Sequence, residues 1–306
     1  MSDLCLFNIQ DGYAEALLRG LRKGFLTEMH YGAIKACLNS RDFKTALMDT
    51  DYADFVKEWD EQESVTLKLL LKKKLADEID YLQTVSGEQL QKFIQMIRHK
   101  YMIDNVINII EGSKVRKIGR EKENRDLINS RTEPLGYLPE ISGMVNLDVR
   151  KLDELYEDIL IDTEVGYYFS QFIEEVMSST ENKNINSIQN YLSEIQPEKM
   201  KNYLKKIWLE HFYYYSEHLG GITWDIMEDL LKFEADCQAI QIIYNSLAFD
   251  FNPTQEAERK KVIPNFGYLY PTVTNNLLKV NTLEMLREQL GYIYFNIDLI
   301  LNIIIS

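Results

Sequence analysis

An internal repeat constrains this chain more than any other feature. The stretch from Gly136 to Leu155, GYLPEISGMVNLDVRKLDEL, returns from Gly267 to Leu286 as GYLYPTVTNNLLKVNTLEML, at one constant offset throughout. Gly136, Tyr137, Leu138, Val149, Leu152 and Leu155 align with Gly267, Tyr268, Leu269, Val280, Leu283 and Leu286, and Asp153 becomes Glu284. A fainter copy stands upstream, where Gly24-Phe25-Leu26 precedes Phe43 to Leu47, and where Leu47 to Asp51 parallels Leu160 to Glu164 at a somewhat shorter offset. Self-similarity at fixed spacing marks stacked or ring-arranged units, each burying its apolar face against the next. The competing reading is chance similarity between apolar helices, and the shared glycine-aromatic-leucine start weighs against it.

Several units need several small cores, and 306 residues with 45% hydrophobic and 27% charged content supply them. A net charge of −14 opposes a nucleic-acid role, because phosphate binding needs a basic surface that releases counterions. It also opposes general adsorption to anionic lipid. Cys5, Cys37 and Cys237 are odd in number, far apart and in no C-x-x-C pair, which fits a reducing cytosol. Met1 to Gln10 has no basic n-region and reads as no signal peptide. The apolar run Tyr292 to Ile305 is broken by Asn296, Asp298 and Asn302 and is shorter than the roughly 20 residues of a spanning helix. The expectation is a soluble protein.

Taken in order, Asn8 to Leu21 places Ile9, Tyr13, Ala16, Leu17 and Leu21 on one helical face, with Gly20 and Gly24 loosening its end. Met29 to Leu47 reads as two helical pieces divided near Asn39 to Asp42, where small polar side chains can cap the second. Ser64 to Leu82, with Lys68 and Lys72 to Lys74 followed by Asp77 and Asp80, has the pattern of a solvated helix face. Ser86 and Gln89 form a capping box ahead of Leu90, Phe93, Ile94, Ile97 and Tyr101. The helix continues through Tyr101 to Ile107, apolar nearly all round and therefore buried, and stops at Gly112. From Gly112 to Pro134 the basic side chains Lys114, Arg116, Lys117, Arg120, Lys122 and Arg125 mark an exposed linker, or a contact for an acidic partner or lipid headgroups.

Beyond Gly136, Tyr167 to Met177 forms an aromatic helix. Pro197 suits a first helical position, and Met200, Leu204, Ile207, Trp208, His211 and Tyr215 follow as one stripe that ends at Gly220 and Gly221. Ile226, Leu230, Phe233, Cys237, Ile240, Tyr244 and Leu247 alternate steps of four and three, a seam for packing along another helix. No segment alternates with the period of a strand, so the chain reads as all-α.

No catalytic, cofactor or metal site emerges. His211 and His218 are seven apart on one stripe, but no third ligand matches their spacing, which favours a satisfied core histidine. Glu234 and Asp236, two apart on a helix, point in different directions. Asp77-Glu78-Ile79-Asp80 has the wrong spacing for a magnesium diphosphate cluster, and no second cluster answers it. Gly220-Gly221 lacks the Lys-Ser/Thr of a phosphate loop. An all-helical repeat without a site is by default a scaffold or coupling part.

Seven motifs carry a family resemblance: Asp11-Gly12-Tyr13, Leu18-Arg19-Gly20, Thr50-Asp51-Tyr52, Tyr101 to Ile107 with Asp104 and Asn105, Leu219-Gly220-Gly221, Phe233-Glu234-Ala235-Asp236, and Gly267-Tyr268-Leu269-Tyr270-Pro271. Together, from about Asn8 to Glu288, they resemble the subunit d family of eukaryotic V-type proton-pumping ATPases, related to the corresponding subunit of archaeal and bacterial rotary enzymes. The resemblance implies three similar helical lobes in a ring around a funnel. These would be an N-terminal helix with lobe 1 and a basic linker (1–135), lobe 2 (136–266), and an incomplete lobe 3 with an atypical tail (267–306). It also implies a non-catalytic role without cofactor or metal, in which the protein caps the proteolipid ring, receives the central-stalk rotor subunits and meets subunit a. Such a protein would sit on the cytoplasmic face of acidic organelle membranes through protein contacts, would not be a homo-oligomer, and would serve proton transport and acidification. The motif residues would hold the fold or face partners. The alternative is a helical-repeat scaffold of another cytosolic complex. Two departures stand out. Cys237 replaces the family arginine after Phe-Glu-Ala-Asp, leaving Glu234 or Asp236 to find another partner. The stretch from Gly267 to Ser306 is also far shorter than the spacing between the earlier unit starts. The tail reads either as truncation with non-native final residues or as a short form packing in the unfinished lobe.

Overall fold

The computed structural model describes residues 11–57, 59–60, 64–115, 126, 128–139, 163–179, 195–248 and 253–291. Among them there is no strand, and the all-α reading holds. The chain forms two compact units, Met1–Val165 and Gly166–Ser306.

The first unit opens with α1 (Gly12–Lys23), α2 (Glu28–Lys35), α3 (Ser40–Met48) and the single turn α4 (Ala53–Val56). The division expected near Asn39 is real: its side chain accepts from the Asp42 N–H and starts α3. The long helices α5 (Ser64–Val85) and α6 (Glu88–Val115) follow, and a 3-10 turn, Pro134–Gly136, packs on both. Ala14 meets Leu82 and Ile94 in a core with Leu17, Ile79 and Leu90 around it. On α6, Met102, Ile103, Val106, Ile107 and Ile110 are buried, as expected of a helix apolar nearly all round.

Three local expectations are revised. On α1 the buried position is Ala14, while Tyr13 and Ala16 are exposed; Ile9 lies outside the described residues. The Ser86 hydroxyl donates to Leu82 O at the end of α5, 2.6 Å away, in place of the expected cap on α6. On α5 the lysines divide. Lys68 and Lys73 face solvent, whereas Lys74 is buried against Glu78, Asp51 (3.2 Å) and the Tyr52 ring, and Lys72 pairs with Glu133 at 2.5 Å.

The second unit contains α7 (Gly166–Ser179), α8 (Pro197–Leu219), α9 (Gly221–Ser246), α10 (Pro253–Val262), α11 (Thr272–Leu277) and α12 (Leu283–Gly291). Tyr168, Phe169 and Phe172 bury the expected aromatic face of α7. Pro197 is the first residue of α8, where its missing N–H costs nothing, and Met200, Leu204, Ile207 and Trp208 lie inside. Gly220 and Gly221, with φ of +65° and +56°, turn the chain so that α9 runs back along α8. Glycine adopts this region without the clash of a Cβ. The seam of α9 is shifted from its expected phase. Leu231, Ala235, Asp236, Ala239 and Ile243 are buried with Ile240, while Ile226, Leu230 and Phe233 are exposed. Ala239, Ile240, Ile242 and Ile243 join Ile263, Leu269, Leu277, Leu278, Val280, Leu286 and Leu290 in one core. No helix among the described residues is long and apolar enough to cross a membrane.

Candidate functional site

The repeat is realised as two anchored loops. In the first unit, α6 presents Asn105 to the chain entering the 3-10 turn. Its Nδ2 donates to Glu133 O (2.9 Å) and Gly136 O (2.6 Å), and its Oδ1 accepts from Glu133 N–H (2.7 Å). On either side, Asn108 Nδ2 donates to Arg131 O (3.1 Å) and Arg98 Nε to Leu135 O (3.1 Å). Arg98 also reaches Gln83 and Asp80, at 2.8 Å each, so α5 and α6 hold the loop together. Gly136 lies so close to α6 that a Cβ there would stand 2.2 Å from the Tyr101 carbonyl carbon and 2.4 Å from its oxygen.

In the second unit, α9 does the same with Asp236, which follows Asn105 at the offset that separates Gly136 from Gly267. Its buried carboxylate accepts from Tyr268 N–H and Leu269 N–H, both at 3.1 Å. Gly267 has φ +138°, and a Cβ there would stand 2.3 Å from Asp236 Oδ1. Side-chain placement follows the repeat as well: Tyr137 and Tyr268 are exposed, while Leu138 and Leu269 are buried. Tyr268 OH donates to Asp229, the counterpart of Arg98, and Lys232, the counterpart of Tyr101, lies over the Tyr268 ring at 5.6 Å. Glu210 of α8 accepts from Asn265 N–H and Nδ2, both at 2.9 Å. Val149, Leu152, Leu155 and Asp153, the rest of the earlier copy, lie outside the described residues. At the upstream copy the close approach differs. A Cβ on Gly24 would stand 2.2 Å from Oδ2 of Asp51, an acid downstream of the glycine instead of upstream.

The structure thus brings Tyr101 and Asn105 to Gly136, and Asp236 to the loop from Gly267 to Leu269, beside which Tyr270 and Pro271 lie. Asp11 is the N-cap residue of α1 beside Gly12, and the exposed Tyr13 meets Tyr81 OH to OH at 2.8 Å. Arg19 pairs with Glu15 on the same exposed face (Nε 2.9 Å), and Gly20 has open space around it. Asp104 and Glu234 are half-buried, Phe233 is exposed, and Tyr270 and Pro271, joined by a cis peptide bond, face solvent beside the second loop. Of the groups weighed for chemistry, Glu78 and Asp80 are engaged by Lys74 and Arg98. His211 lies against Tyr167 and Tyr168, 3.3 Å from the Tyr168 hydroxyl, and His218 is exposed. Burial pushes the Tyr168 hydroxyl far above the usual tyrosine range. Among the described residues no group of three His, Cys, Asp or Glu could hold a metal ion.

Residues 14–298 match the family described as ATP synthase (C/AC39) subunit. The chain is 34% identical over 286 residues to the V-type proton ATPase subunit d of Dictyostelium discoideum, covering 93% of this chain and 73% of that one. It is 35% identical over 268 residues to V-type proton ATPase subunit d1 of Arabidopsis thaliana (87% and 69%) and 31% identical over 296 residues to subunit d of Saccharomyces cerevisiae (94% and 78%). The chain belongs to the V-type ATPase subunit d family. The resemblance read from the motifs is this relation, and the family's subunits are non-catalytic.

Within this subunit d family member, one structural residue carries no signal in the sequence. Arg259 on α10 is buried. Its Nη1 donates to Leu278 O (2.9 Å) and Val280 O (2.6 Å), and its Nε donates to Ser246 Oγ (2.9 Å), tying α9 and α10 to the loop after α11. Nothing in Arg259-Lys260-Lys261 separates it from its exposed neighbours in sequence. Asp236, for which Cys237 in place of arginine left a partner to be found, takes the two loop N–H groups.

Proposed function

We propose that this subunit d family member caps the proteolipid ring of a V-type ATPase and couples it to the central rotor stalk, supporting ATP-driven proton transport and organelle acidification. It would meet subunit a as well, and would lie peripherally on the cytoplasmic face of the organelle membrane through protein contacts. The observation that carries this reading is the similarity to V-type subunit d proteins across nearly the whole chain. The anchored loops support it physically. A part that transmits torque needs helices that keep their spacing under load, and Asn105 and Asp236 tie α6 and α9 to distant chain through buried hydrogen bonds. In a three-lobed ring, each lobe would hand its opening loop to a long helix of the lobe before it, Gly136 to Leu138 on α6 and Gly267 to Leu269 on α9.

The test is a native pull-down of the endogenous protein tagged at its N-terminus, with mass spectrometry of what comes with it. Proteolipid, central-stalk subunits and subunit a are expected together. Their consistent absence, with another set of partners in their place, would overturn the proposal in favour of a scaffold in a different complex.

A further inference from the structure

The seam of α9, read from its four-and-three spacing, is used over only part of its length. Ile240, with Tyr244 and Leu247, packs into the core of the second unit. The same spacing continues through Cys237, Phe233, Leu230 and Ile226, and a further step of four reaches Ile222. Along this part the stripe is open to solvent. Ile222, Ile226, Leu230 and Phe233 are 77%, 56%, 57% and 44% exposed, while Leu231 and Ala235 on the other side of the helix are buried. From Ile222 to Phe233 the stripe runs about 16 Å. Bulky apolar side chains at this spacing are knobs that fill the holes of another helix.

The charges along its edges decide which kind of cover fits. Asp225 and Asp229 lie along one edge and Glu234 along the other, and the one basic residue of α9, Lys232, is held by Glu228 at 2.5 Å. A second copy of α9 laid on this face would bring carboxylates against carboxylates, and an anionic bilayer would be repelled in the same way. We propose that the face from Ile222 to Phe233 seats an amphipathic helix of a partner protein whose apolar stripe is flanked by lysine or arginine. Such a helix takes the four apolar side chains out of water, and its bases meet the three acids as edge charges do in paired helices. The acids select the partner and speed its encounter, while the apolar stripe supplies most of the affinity. The inference rests on α9 alone and holds whatever complex the chain joins.

The test titrates two labelled synthetic helices against the purified full chain and reads fluorescence anisotropy. Both carry leucine at the seam positions, one with lysine at the edges and the other with glutamate. The lysine helix is expected to bind at least about tenfold more tightly than the glutamate helix. A basic peptide is drawn to any chain of net charge −14, so the variants decide. Leu230→Ser changes neither the charge nor the buried core and is expected to weaken the lysine helix about tenfold. The double variant Asp225→Lys with Asp229→Lys is expected to reverse the preference, with helical content checked by circular dichroism. Unchanged binding in Leu230→Ser, an unreversed preference in the double variant, or failure of both helices to bind would overturn the proposal. A photo-crosslinker placed at Leu230 in the native complex then identifies the occupant, expected to be a basic helical segment of another protein. Links only to a second copy, to lipid, to this chain itself or to nothing would also overturn it.

Discussion

The two anchor residues differ for a reason that their partners supply. Asn105 meets one N–H and two carbonyl oxygens, so only an amide, with its donor and acceptor ends, satisfies all three. Asp236 meets two N–H groups, and a carboxylate accepts both. Exchanging the two is therefore expected to be unequal in cost. Asn105→Asp turns a charged acceptor towards two carbonyl oxygens and should destabilise by about 3 kcal/mol or more, whereas Asp236→Asn keeps one oxygen for one N–H and should cost about 1 to 2 kcal/mol. Urea unfolding of both variants measures the difference, and equal costs would contradict the assigned geometry. The glycines give a second contrast. A Cβ on Gly136 collides with the Tyr101 backbone, which has no rotamer with which to give way, so Gly136→Ala should lose about 2 to 4 kcal/mol. Gly20 lies inside α1 with nothing near it, so Gly20→Ala should gain about 0.5 to 1 kcal/mol through lower unfolded-state entropy. Gly136 opens the internal repeat and Gly20 closes the Leu18-Arg19-Gly20 motif, and the close approach at Gly136 is what sets their expected costs apart.

Among the helices, ends were more legible than faces. Asn39, Pro197 and Gly220 act through local backbone geometry that a few neighbouring residues specify, and all three end or start a helix where expected. The face of α9 was displaced because that helix is apolar on more than one side, so that periodicity allows two phases, whereas α1 has one broad apolar side and only the residue at its closest approach differs from expectation. Close helix approach then selects small residues, Ala14, Ala235 and Ala239, which a hydrophobic pattern undervalues beside Tyr13 or Phe233. Asp236 was legible as part of a motif but its partners were not, since Tyr268 and Leu269 lie far along the chain and meet it only through the fold. The junction of α8 and α9 carries its own expectation. Gly220, at φ +65° and ψ −166°, occupies a region essentially reserved for glycine, so Gly220→Ala should cost about 1 to 3 kcal/mol, seen as a lowered thermal midpoint with helical content retained. A pH-dependent element is the contact of Glu164 with α6. The His99 imidazole 3.6 Å away, helped by Gln95 and against the opposing effect of burial, holds the Glu164 carboxyl below its ordinary value of 4.5. A carboxyl with a lower pKa in the folded chain stabilises it above the unfolded value and loses that contribution as pH falls through the folded one. The protection of the Val165 amide, corrected for the intrinsic exchange rate at each pH, is thus expected to fall as the pH drops below 4.5, and Glu164→Gln should remove that acid-dependent part while leaving protection on α3 unchanged.

At the scale of the whole molecule, the anchors bear on the two roles that the motifs left open, holding the fold or facing partners. Asn105, Asp236, Gly136 and Gly267 have their polar atoms or close approaches directed into the chain itself. If holding the fold is their whole role, weakening an anchor lowers the supply of folded chain without altering an assembled complex. Partner binding stabilises the folded state by mass action, so much of a loss of about 2 kcal/mol is recovered once the chain is bound. For Gly136→Ala in cells whose own copy is replaced, the expected result is a several-fold drop in assembled V-type ATPase on the membrane, with proton transport per ATP hydrolysed unchanged in the complexes that form. Purified organelle vesicles allow both readings, the amount of subunit by immunoblot and coupling from the ratio of acidification to ATP hydrolysis. Normal abundance with a reduced ratio would place the first anchored loop at a working interface, because torque would then be lost through a chain that still folds and assembles. A normal ratio at reduced abundance assigns Gly136 and Asn105 to the internal bracing of the lobe and leaves coupling to the exposed surface, where Tyr137, Tyr268 and Tyr270 stand beside the two loops.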